Sequence, residues 1–356
     1  MIKYALLFIF STLFALLLCE GILQFADYPT DDFCPWIADN ITAYRSAPNL
    51  DQRMICEDFD VRIKTNELGL RDDPVGEKKG FRILMLGDSY AFGYGADRSF
   101  LFVDLLEQKL QTEIINAAVG GFEIIHQVKW FAAEGKQFDA DLVIFALYLG
   151  NDLAFNGLWR EDAETGLVNP KKRFLVRTKN TSKIKQLLRI LYRVEFNPLR
   201  PKEWVPPPEY LEMTRKQLSP ENELNYAETK KWLGELRDEV VESGAEFFVF
   251  LLPYKTVVEP PARERFMATI PGFREQYDLE RPANELEAFC SESQIACLNL
   301  VPAMNEYYKT PSNPSLFYYS EGHFTPEGNA FVSAQLEPAV SSLIDRIKAE
   351  NPADGN

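Results

Sequence analysis

The sequence predicts an α/β protein whose one principal domain is built on a mostly parallel sheet. Residues 83–86 (ILML) form an apolar run without polar alternation, and it stops at Gly87-Asp88-Ser89. Residues 141–149 (DLVIFALYL) form a second such run, followed by Gly150-Asn151-Asp152. Unbroken apolar runs are typical of parallel strands that helices cover on both faces. Helical patterns separate the runs, and this alternation indicates a doubly wound sheet.

Composition allows one large domain and argues against one class of partner. The chain has 356 residues, of which 46% are hydrophobic and 13% aromatic. A chain of this length and apolar content can bury a sizeable core. The formal net charge of −15 argues against nucleic-acid binding, because neutralising phosphates requires a basic surface.

The amino-terminal residues 1–25 are predicted to be a transmembrane anchor. Tyr4 to Cys19 is apolar apart from one serine and one threonine, and it follows Lys3. No small-x-small cleavage pattern follows, so we favour an uncleaved anchor, with a cleaved signal sequence and a secreted protein as the alternative. The lysine precedes the apolar stretch and aspartates follow it, which predicts a cytoplasmic amino terminus and an extracytoplasmic domain.

Residues 26–80 are predicted to be an extracytoplasmic, irregular lead, because they are polar and show little sustained periodicity. The lead contains Cys34 and Cys56, and a second local pair, Cys290 and Cys297, lies near the carboxyl terminus. Two disulfides, one within each pair, are the economical interpretation in an oxidising compartment, and buried free thiols are the alternative. No CxxC or histidine-rich spacing predicts a zinc site.

The remaining elements of the domain, residues 81–350, follow from apolar spacing. Before the insertion, the patterns predict a helix over 99–110, a strand over 113–118 and a helix over about 122–134. After it, they predict a helix over about 219–243, a strand over 246–252, a helix before Cys290, a strand over 295–301 and a final helix from about Pro326.

Residues 153–218 are predicted to be an insertion. Between Lys171 and Lys202 there are eleven Lys or Arg residues and one acid, Glu195. Within this stretch, residues 182–193 (SKIKQLLRILYR) have the pattern of a basic amphipathic helix. We expect this basic insertion to contact an anionic surface, either lipid headgroups or a charged glycan. A solvated helix paired with acids elsewhere is the alternative.

Three predicted strands should bring polar groups to one edge of the sheet. They end in the Gly-Asp-Ser of residues 87–89, in Gly120-Gly121 and in the Gly-Asn-Asp of residues 150–152. The carboxyl ends of parallel strands form one edge, where α/β proteins carry ligands and chemistry. Ser89 needs a base to act as a nucleophile at neutral pH, and histidine is the usual one.

The chain contains two histidines. His126 lies within a predicted helix, where we interpret it as a packing or surface residue. His323 lies in a loop before a helix that begins with proline, where its side chain can be presented at the sheet edge. We interpret Asp88 as a structural hydrogen-bonding residue.

These blocks resemble, in their order, those of the SGNH or GDSL-type serine hydrolases, a family of esterases and lipases. The resemblance covers roughly residues 81–152 and 219–348. It implies a flavodoxin-like, three-layer α/β/α sandwich. It also implies roles for four residues: Ser89 as nucleophile and amide donor, Gly120 and Asn151 as further oxyanion-hole donors, and His323 as base. Residues 65–72 (TNELGLRD) resemble the lead of membrane-anchored members.

The chain departs from the family at the acid. The family commonly places an aspartate two or three residues before its histidine, and here those positions hold Glu321 and Ser320. We assign Glu321 as the residue that orients His323, with a Ser89-His323 dyad as the alternative. Nucleotide binding is poorly supported, because the glycines after residue 86 do not form Gly-x-Gly-x-x-Gly.

The sequence therefore predicts a membrane-anchored, extracytoplasmic serine esterase that needs no metal and no cofactor. Its expected substrate is a small acyl ester of a polar molecule, with an O-acetyl group of a surface glycan as one candidate. An acyltransferase would use the same residues with a sugar hydroxyl as acceptor. A non-catalytic glycan-binding or assembly protein on the same fold is the alternative outside enzymes.

Overall fold

A five-stranded parallel sheet forms the centre of the computed structural model, which describes residues 2–25, 36–154, 159–161, 168–170, 184, 187–188 and 203–350. In chain order the strands of the described residues are β1 (Trp36–Asp39), β2 (Ala43–Ser46), β3 (Asp51–Ile55), β4 (Asp60–Lys64), β5 (Arg82–Gly87), β6 (Glu113–Asn116), β7 (Leu142–Tyr148), β8 (Trp159–Glu161), β9 (Val168–Pro170), β10 (Glu246–Leu252) and β11 (Ala296–Asn299). The central sheet has the order β11-β10-β7-β5-β6. Counted along the chain from β5, this is the 2-1-3-4-5 order of a flavodoxin-like doubly wound fold.

The helices of the described residues cover the sheet except for the first, which precedes every strand and whose apolar window is not buried in the protein. They are α1 (Ile2–Phe25), α2 (Ser89–Phe92), α3 (Phe102–Leu110), α4 (Ile124–Ala133), α5 (Asn151–Ala154), α6 (Pro208–Glu212), α7 (Pro220–Glu242), α8 (Lys255–Val258), α9 (Pro260–Ala268), α10 (Phe273–Gln276), α11 (Arg281–Glu292), α12 (Val301–Tyr307) and α13 (Pro326–Glu350). Helix α3 packs against α13, and α4 packs against α7. The predicted three-layer α/β/α architecture is confirmed.

The register of the central strands aligns their carboxyl ends. Gly87 of β5 pairs with Ala146 of β7, and Tyr148 of β7 pairs with Leu252 of β10. Every residue of β5 and β7 is buried, as the unbroken apolar runs predict. The segments that follow β5 and β7, which begin with Asp88 and Leu149, therefore leave the sheet side by side.

The predicted helix over 99–110 is shorter than expected. A 3-10 turn covers Arg98–Phe100, and α3 begins only at Phe102. Leu101 between them has extended backbone angles, and the Phe102 N–H donates to Asn329 Oδ1 at 3.1 Å. The Phe102 N–H thus donates to a side chain of α13, whereas in a continuous helix it would donate to a carbonyl of the preceding turn.

The prediction of an irregular lead is wrong for residues 36–64. Strands β1 and β2 form one antiparallel hairpin, and β3 and β4 form another. In β4 the side chains alternate: Val61 and Ile63 are buried, and Asp60, Arg62 and Lys64 are exposed. The alternation spans only five residues, too short to stand out among the polar residues of the lead.

The amino-terminal helix α1 is a candidate membrane span. Residues Lys3–Leu23 are long and apolar enough to cross a bilayer, and no part of their apolar window is buried in the protein. An apolar helix at the amino terminus fits either a signal anchor or a signal peptide.

Two predictions fall largely outside the described residues. The proposed basic helix over 182–193 is described only at residues 184, 187 and 188, and Cys34 is not described. Cys290 and Cys297 are free thiols in the structure, and their side chains share a hydrogen bond that lowers the pKa of the Cys290 thiol. The two disulfides stay predictions.

Candidate active site

The segment that carries Ser89 is a one-turn helix at the end of β5. The Asp88 carboxylate accepts a hydrogen bond from the Tyr90 N–H at 2.9 Å and so caps α2, which begins at Ser89. This confirms Asp88 as a structural hydrogen-bonding residue. Gly93 ends the helix with φ +85°, a left-handed conformation that a side chain would disfavour, and an added Cβ would collide with Leu101. The serine is therefore held between two fixed turns.

Ser89 and His323 are in direct contact. The distance from Ser89 Oγ to His323 Nε2 is 3.0 Å, although 234 positions of the chain separate the two residues. The Tyr90 and Tyr94 rings flank the imidazole, with ring centroids 4.9 Å and 4.6 Å away. Burial lowers the pKa of His323 to about 4. The imidazole is consequently neutral at pH 7, which is the form that can accept a proton from the serine hydroxyl.

The loop that carries His323 is fixed on both sides of the histidine. The Tyr318 N–H donates to the His323 carbonyl at 2.7 Å, and the Tyr90 hydroxyl donates to the Gly322 carbonyl at 2.8 Å. Gly322 has φ +75°, and a Cβ there would lie 2.7 Å from the Trp204 ring. Only glycine fits between this backbone and the tryptophan, so the loop brings the imidazole to Ser89 in one arrangement.

The assignment of the Glu321 carboxylate as the group that orients His323 requires a correction. Among the described residues, no group accepts a well-aligned hydrogen bond from Nδ1 of His323. The Glu321 group that acts on the imidazole belongs to its main chain, and it raises the pKa of His323 against the larger effect of burial. An interaction that raises a histidine pKa must come from an acceptor, which in the main chain is the carbonyl. Glu321 lies two residues before His323, and at that separation its carbonyl, rather than its longer side chain, lies beside the ring.

Three candidate oxyanion donors lie at the same sheet edge. After β6, the Val119 N–H donates to the Gly87 carbonyl at 3.1 Å, which brings Gly120 next to the nucleophile segment. The Asn151 side-chain amide donates to the Phe122 carbonyl at 3.2 Å, and so Asn151 contacts the same turn. In the described part of the chain, the Ser89 and Gly120 N–H groups make no hydrogen bond, and both can serve an added oxygen.

Two buried carboxyl groups lie beneath this site. Burial raises the pKa of Asp88 to about 7 and raises that of Asp152 well above its ordinary value. The nearby charge of Asp88 further disfavours ionisation of Asp152. The Tyr148 N–H donates to the Asp152 carboxyl at 2.9 Å. Burial therefore favours the protonated form of Asp152 and leaves Asp88 only partly ionised at neutral pH, which reduces the negative charge beneath an anion at this site.

His126 is a buried packing residue, as interpreted from the sequence. Its Nδ1 accepts a hydrogen bond from the Glu123 N–H at 3.0 Å, and the Phe122 ring stacks on the imidazole at 4.9 Å. Burial lowers its pKa to about 3. The histidine therefore caps the start of α4 and supports the turn after Gly121.

Two residues of the lead support the site, and the sequence did not predict these contacts. The Tyr44 hydroxyl donates to the Gly121 carbonyl at 2.5 Å. The Arg71 guanidinium is fully buried and donates to the carbonyls of Phe92, at 2.8 Å, and of Gly93 and Ala96. Arg71 lies in the TNELGLRD block, whose resemblance to other leads was a signal for it. The tyrosine had no comparable signal.

The described residues contain no group of three or more His, Cys, Asp or Glu side chains that could hold a metal ion. The contact between Ser89 and His323 allows attack by an activated hydroxyl, with an oxyanion held by N–H donors.

One protein-family model and several solved structures are similar to this chain. A family model described as GDSL-like Lipase/Acylhydrolase matches residues 83–336. A sequence comparison with curated proteins finds no match. Similar solved structures include TesA, with 13% identity over 74% of this chain and 99% of that one, and a TM-score of 0.41.

Two further similar structures are esterases by name. The acetyl xylan esterase AlAXEase shares 11% identity over 73% of this chain and 100% of that chain, with a TM-score of 0.43. A catalytic mutant of Axe2, an acetylxylan esterase from Geobacillus stearothermophilus, shares 11% identity over 72% of this chain and 92% of that one, with a TM-score of 0.40. At these identities and scores the solved structures carry no information on the substrate.

Proposed function

The chain belongs to the GDSL-like lipase/acylhydrolase family, and on this premise we propose that it hydrolyses small acyl esters with Ser89 as nucleophile and His323 as general base. The observation that carries the proposal is the 3.0 Å contact between Ser89 Oγ and His323 Nε2. A hydroxyl becomes a nucleophile at neutral pH when a neutral imidazole within hydrogen-bond reach takes its proton.

The proposed reaction has two balanced steps. The Ser89 oxygen attacks the ester carbonyl carbon while its proton passes to His323 Nε2. The tetrahedral intermediate then expels the alcohol, which takes that proton, and leaves an acyl-serine. Water attacks the acyl-serine, gives one proton to His323, and the serine oxygen regains it as the carboxylic acid departs.

The oxyanion of each tetrahedral intermediate would lie among the N–H groups of Ser89, Gly120 and the Asn151 amide. Preorganised donors of this kind stabilise developing charge because they need no reorganisation during the reaction. In the resting structure the Asn151 amide is already oriented by the Phe122 carbonyl. The raised pKa values of Asp88 and Asp152 support the same assignment, since they reduce the negative charge near the oxyanion.

Packing beside Ser89 supports a small acyl group. The Tyr90 and Tyr148 rings lie 4.4 Å apart, and the Tyr210 ring follows at 6.0 Å from Tyr148. A Cβ added to Gly150 would collide with Tyr148 and lie 2.6 Å from Tyr210. Aromatic rings thus occupy the sheet edge on this side of the serine. An O-acetyl group of a polar molecule, such as a surface glycan, is the substrate we propose.

We further propose that the domain is extracytoplasmic and anchored by α1. The apolar window of α1 is unburied, and Lys3 precedes it while aspartates follow it. The basic stretch between Lys171 and Lys202 would then lie near anionic headgroups or charged glycans. Eleven cations in so acidic a chain support this placement.

The experiment is a comparison of hydrolysis with transfer. The full chain in detergent would be given esters from acetyl to octanoyl, with and without added glycans, beside the Ser89→Ala variant. We expect hydrolysis of acetyl esters that falls as the acyl chain lengthens and is absent in Ser89→Ala. Acylated glycan in place of free acid would indicate an acyltransferase. No ester consumption by the wild-type protein would contradict the proposal and favour a glycan-binding protein.

A further inference from the structure

One carboxylate of the lead reaches the loop that carries His323. Asp58 lies in the turn between β3 and β4, and its Oδ2 accepts hydrogen bonds from the Ser320 N–H at 2.7 Å and the Glu321 N–H at 2.9 Å. These two N–H groups belong to the residues that immediately precede Gly322 and His323. More than 260 positions of the chain separate Asp58 from this loop.

The turn that carries Asp58 is itself fixed. The Cys56 N–H donates to the Phe59 carbonyl at 2.9 Å, and the Asp58 N–H donates to Cys56 Sγ at 3.4 Å. The buried Phe59 ring packs against Tyr94 at 5.3 Å and Tyr318 at 5.4 Å, measured between ring centroids. Both tyrosines also border His323, through ring packing and through the hydrogen bond to its carbonyl. The carboxylate is therefore held against the loop by packing as well as by its own hydrogen bonds.

This contact involves the two positions at which the family commonly has an aspartate and this chain has none. The residues two and three positions before His323 are Glu321 and Ser320, and their main-chain N–H groups converge on Asp58. A carboxylate that accepts two N–H donors makes charge-assisted hydrogen bonds, which are shorter and about twice as strong as neutral ones. The peptide groups before His323, including the Glu321 carbonyl that acts on the imidazole, are thereby fixed from outside the loop.

We propose that Asp58 is the positioning residue for His323: it holds the loop so that the Glu321 carbonyl faces Nδ1 and Nε2 faces Ser89. Asp58 touches neither the imidazole nor the serine in this arrangement, and it acts through the loop. The inference deepens the proposed function, because it treats His323 as the base of the reaction. A displacement of about 1 Å in a catalytic group can cost roughly 10²-fold in rate.

The first test compares Asp58→Ala, Asp58→Asn and the control Asp60→Ala in the full chain in detergent. Asp60 lies on the same hairpin, where its exposed carboxylate pairs with Arg53. We expect Asp58→Ala to lower kcat between about 10-fold and 100-fold with little change in KM, since geometry rather than binding is lost. Asp58→Asn keeps an oxygen at the acceptor position and should recover most of the rate. Wild-type kcat in Asp58→Ala, or an equal loss in Asp60→Ala, would overturn the proposal.

The second test does not depend on turnover. The chain has only two histidines, so a spectrum of protein labelled with ¹⁵N-histidine contains two imidazoles. His126 accepts at Nδ1 and so carries its proton on Nε2, whereas His323 should carry its proton on Nδ1. We expect Asp58→Ala to mix the tautomers of His323 and to leave His126 unchanged, while Asp60→Ala alters neither. A His323 signal unchanged in Asp58→Ala would overturn the proposal.

The two tests separate the two hypotheses. If the wild-type protein consumes no ester but the His323 spectrum responds to Asp58→Ala, the proposed function fails and the positioning role stands. If the wild-type protein is an esterase and neither kcat nor the spectrum responds, the positioning role fails alone. Thermal unfolding of each variant, followed by circular dichroism, would show whether a lost rate reflects a lost fold.

Discussion

At the scale of single residues, the surroundings of His323 decide its protonation. The imidazole lies between the Tyr90 and Tyr94 rings, and burial lowers its pKa to about 4, whereas an exposed histidine has a pKa of about 6.5. Burial favours the neutral ring because the charged form loses its hydration. The residue is therefore a base over the whole range from weakly acidic to neutral pH.

This pKa predicts the acid limb of the activity. Only neutral His323 can accept the Ser89 proton, so kcat/KM should stay level as the pH falls through 6.5 and should decline as it approaches about 4. The profile of kcat/KM against pH, measured on an acetyl ester, checks this. The contribution of His323 to the unfolding free energy should decrease over the same interval, because the unfolded chain, with a histidine pKa of about 6.5, binds a proton there that the folded state excludes. A midpoint of kcat/KM near 6.5 would contradict the burial argument.

The geometry around Glu321 predicts a small effect of its side chain. The group that acts on the imidazole is in the main chain, and Glu321→Gln leaves the main chain as it is. We expect kcat for an acetyl ester to change by less than about threefold, whereas replacing a triad acid by its amide costs roughly 10⁴-fold. A loss on that larger scale, measured beside wild-type protein of equal thermal stability, would restore the carboxylate as the orienting group.

At the scale of elements, the short helix after β5 depends on an arginine from the lead. Helix α2 ends after four residues, and hydrogen bonds from one guanidinium fix the carbonyls at and just after its end. Arg71 donates to the carbonyls of Phe92, Gly93 and Ala96, and its guanidinium lies 5.2 Å from the centre of the Phe92 ring. The lead thus closes the turn that begins with Ser89.

Replacing this arginine should destabilise the fold. Arg71→Met removes three hydrogen bonds between a charged donor and buried carbonyls, although the Gly93 carbonyl keeps the Ala96 N–H at 3.2 Å, and hydrogen bonds to charged groups contribute roughly 1.5–3 kcal/mol each. We expect the unfolding free energy to fall by about 3 kcal/mol or more, measured by urea denaturation of the full chain in detergent.

Arg53→Met is the matched control, because that arginine lies in an exposed ion pair with Asp60, and such pairs contribute about 0–1 kcal/mol. Equal losses in Arg71→Met and Arg53→Met would contradict the role of the buried guanidinium.

Elements of the sheet were predictable for a physical reason. Strands buried on both faces have no polar alternation, so β5, β7 and β10 stand out as apolar runs whose observed bounds lie within a residue or two of the predicted ones. The hairpins of the lead were not predictable, because their strands are only four or five residues long and β1 has no buried residue. The supporting contacts of Tyr44 and Asp58 were not predictable either, because they end on main-chain groups 77 and more than 260 positions away in the sequence.

At the scale of the whole molecule, the described part of the lead, residues 36–80, shares the hydrophobic core of the central sheet. Three of its side chains each fix one loop of the candidate site: Tyr44 the turn at Gly121, Asp58 the loop before His323, and Arg71 the turn after Ser89. The sequence of the site blocks revealed Ser89 and His323 because each stands at a strand end or before a helix. It did not reveal that the segment after α1 holds them in place.

The compartment of the domain can be tested through its cysteines. The side chains of Cys290 and Cys297 are already in contact, so we expect them to form a disulfide in protein exported from the cytoplasm, and we expect Cys34 to pair with Cys56. Peptide mapping of exported protein without reductant, beside a reduced sample, identifies both linkages. Four thiols that alkylate without reduction would count against the bridges and against an oxidising compartment.

Covalent labelling with a serine-directed reagent would show whether His323 activates Ser89 as a nucleophile. The full chain in detergent would be treated with a fluorophosphonate, and the modified peptide would be identified by mass spectrometry. We expect one adduct on Ser89, absent in Ser89→Ala and formed far more slowly in His323→Ala. No adduct on Ser89 in folded wild-type protein, or equal labelling of Ser89 with and without His323, would contradict the proposed activation.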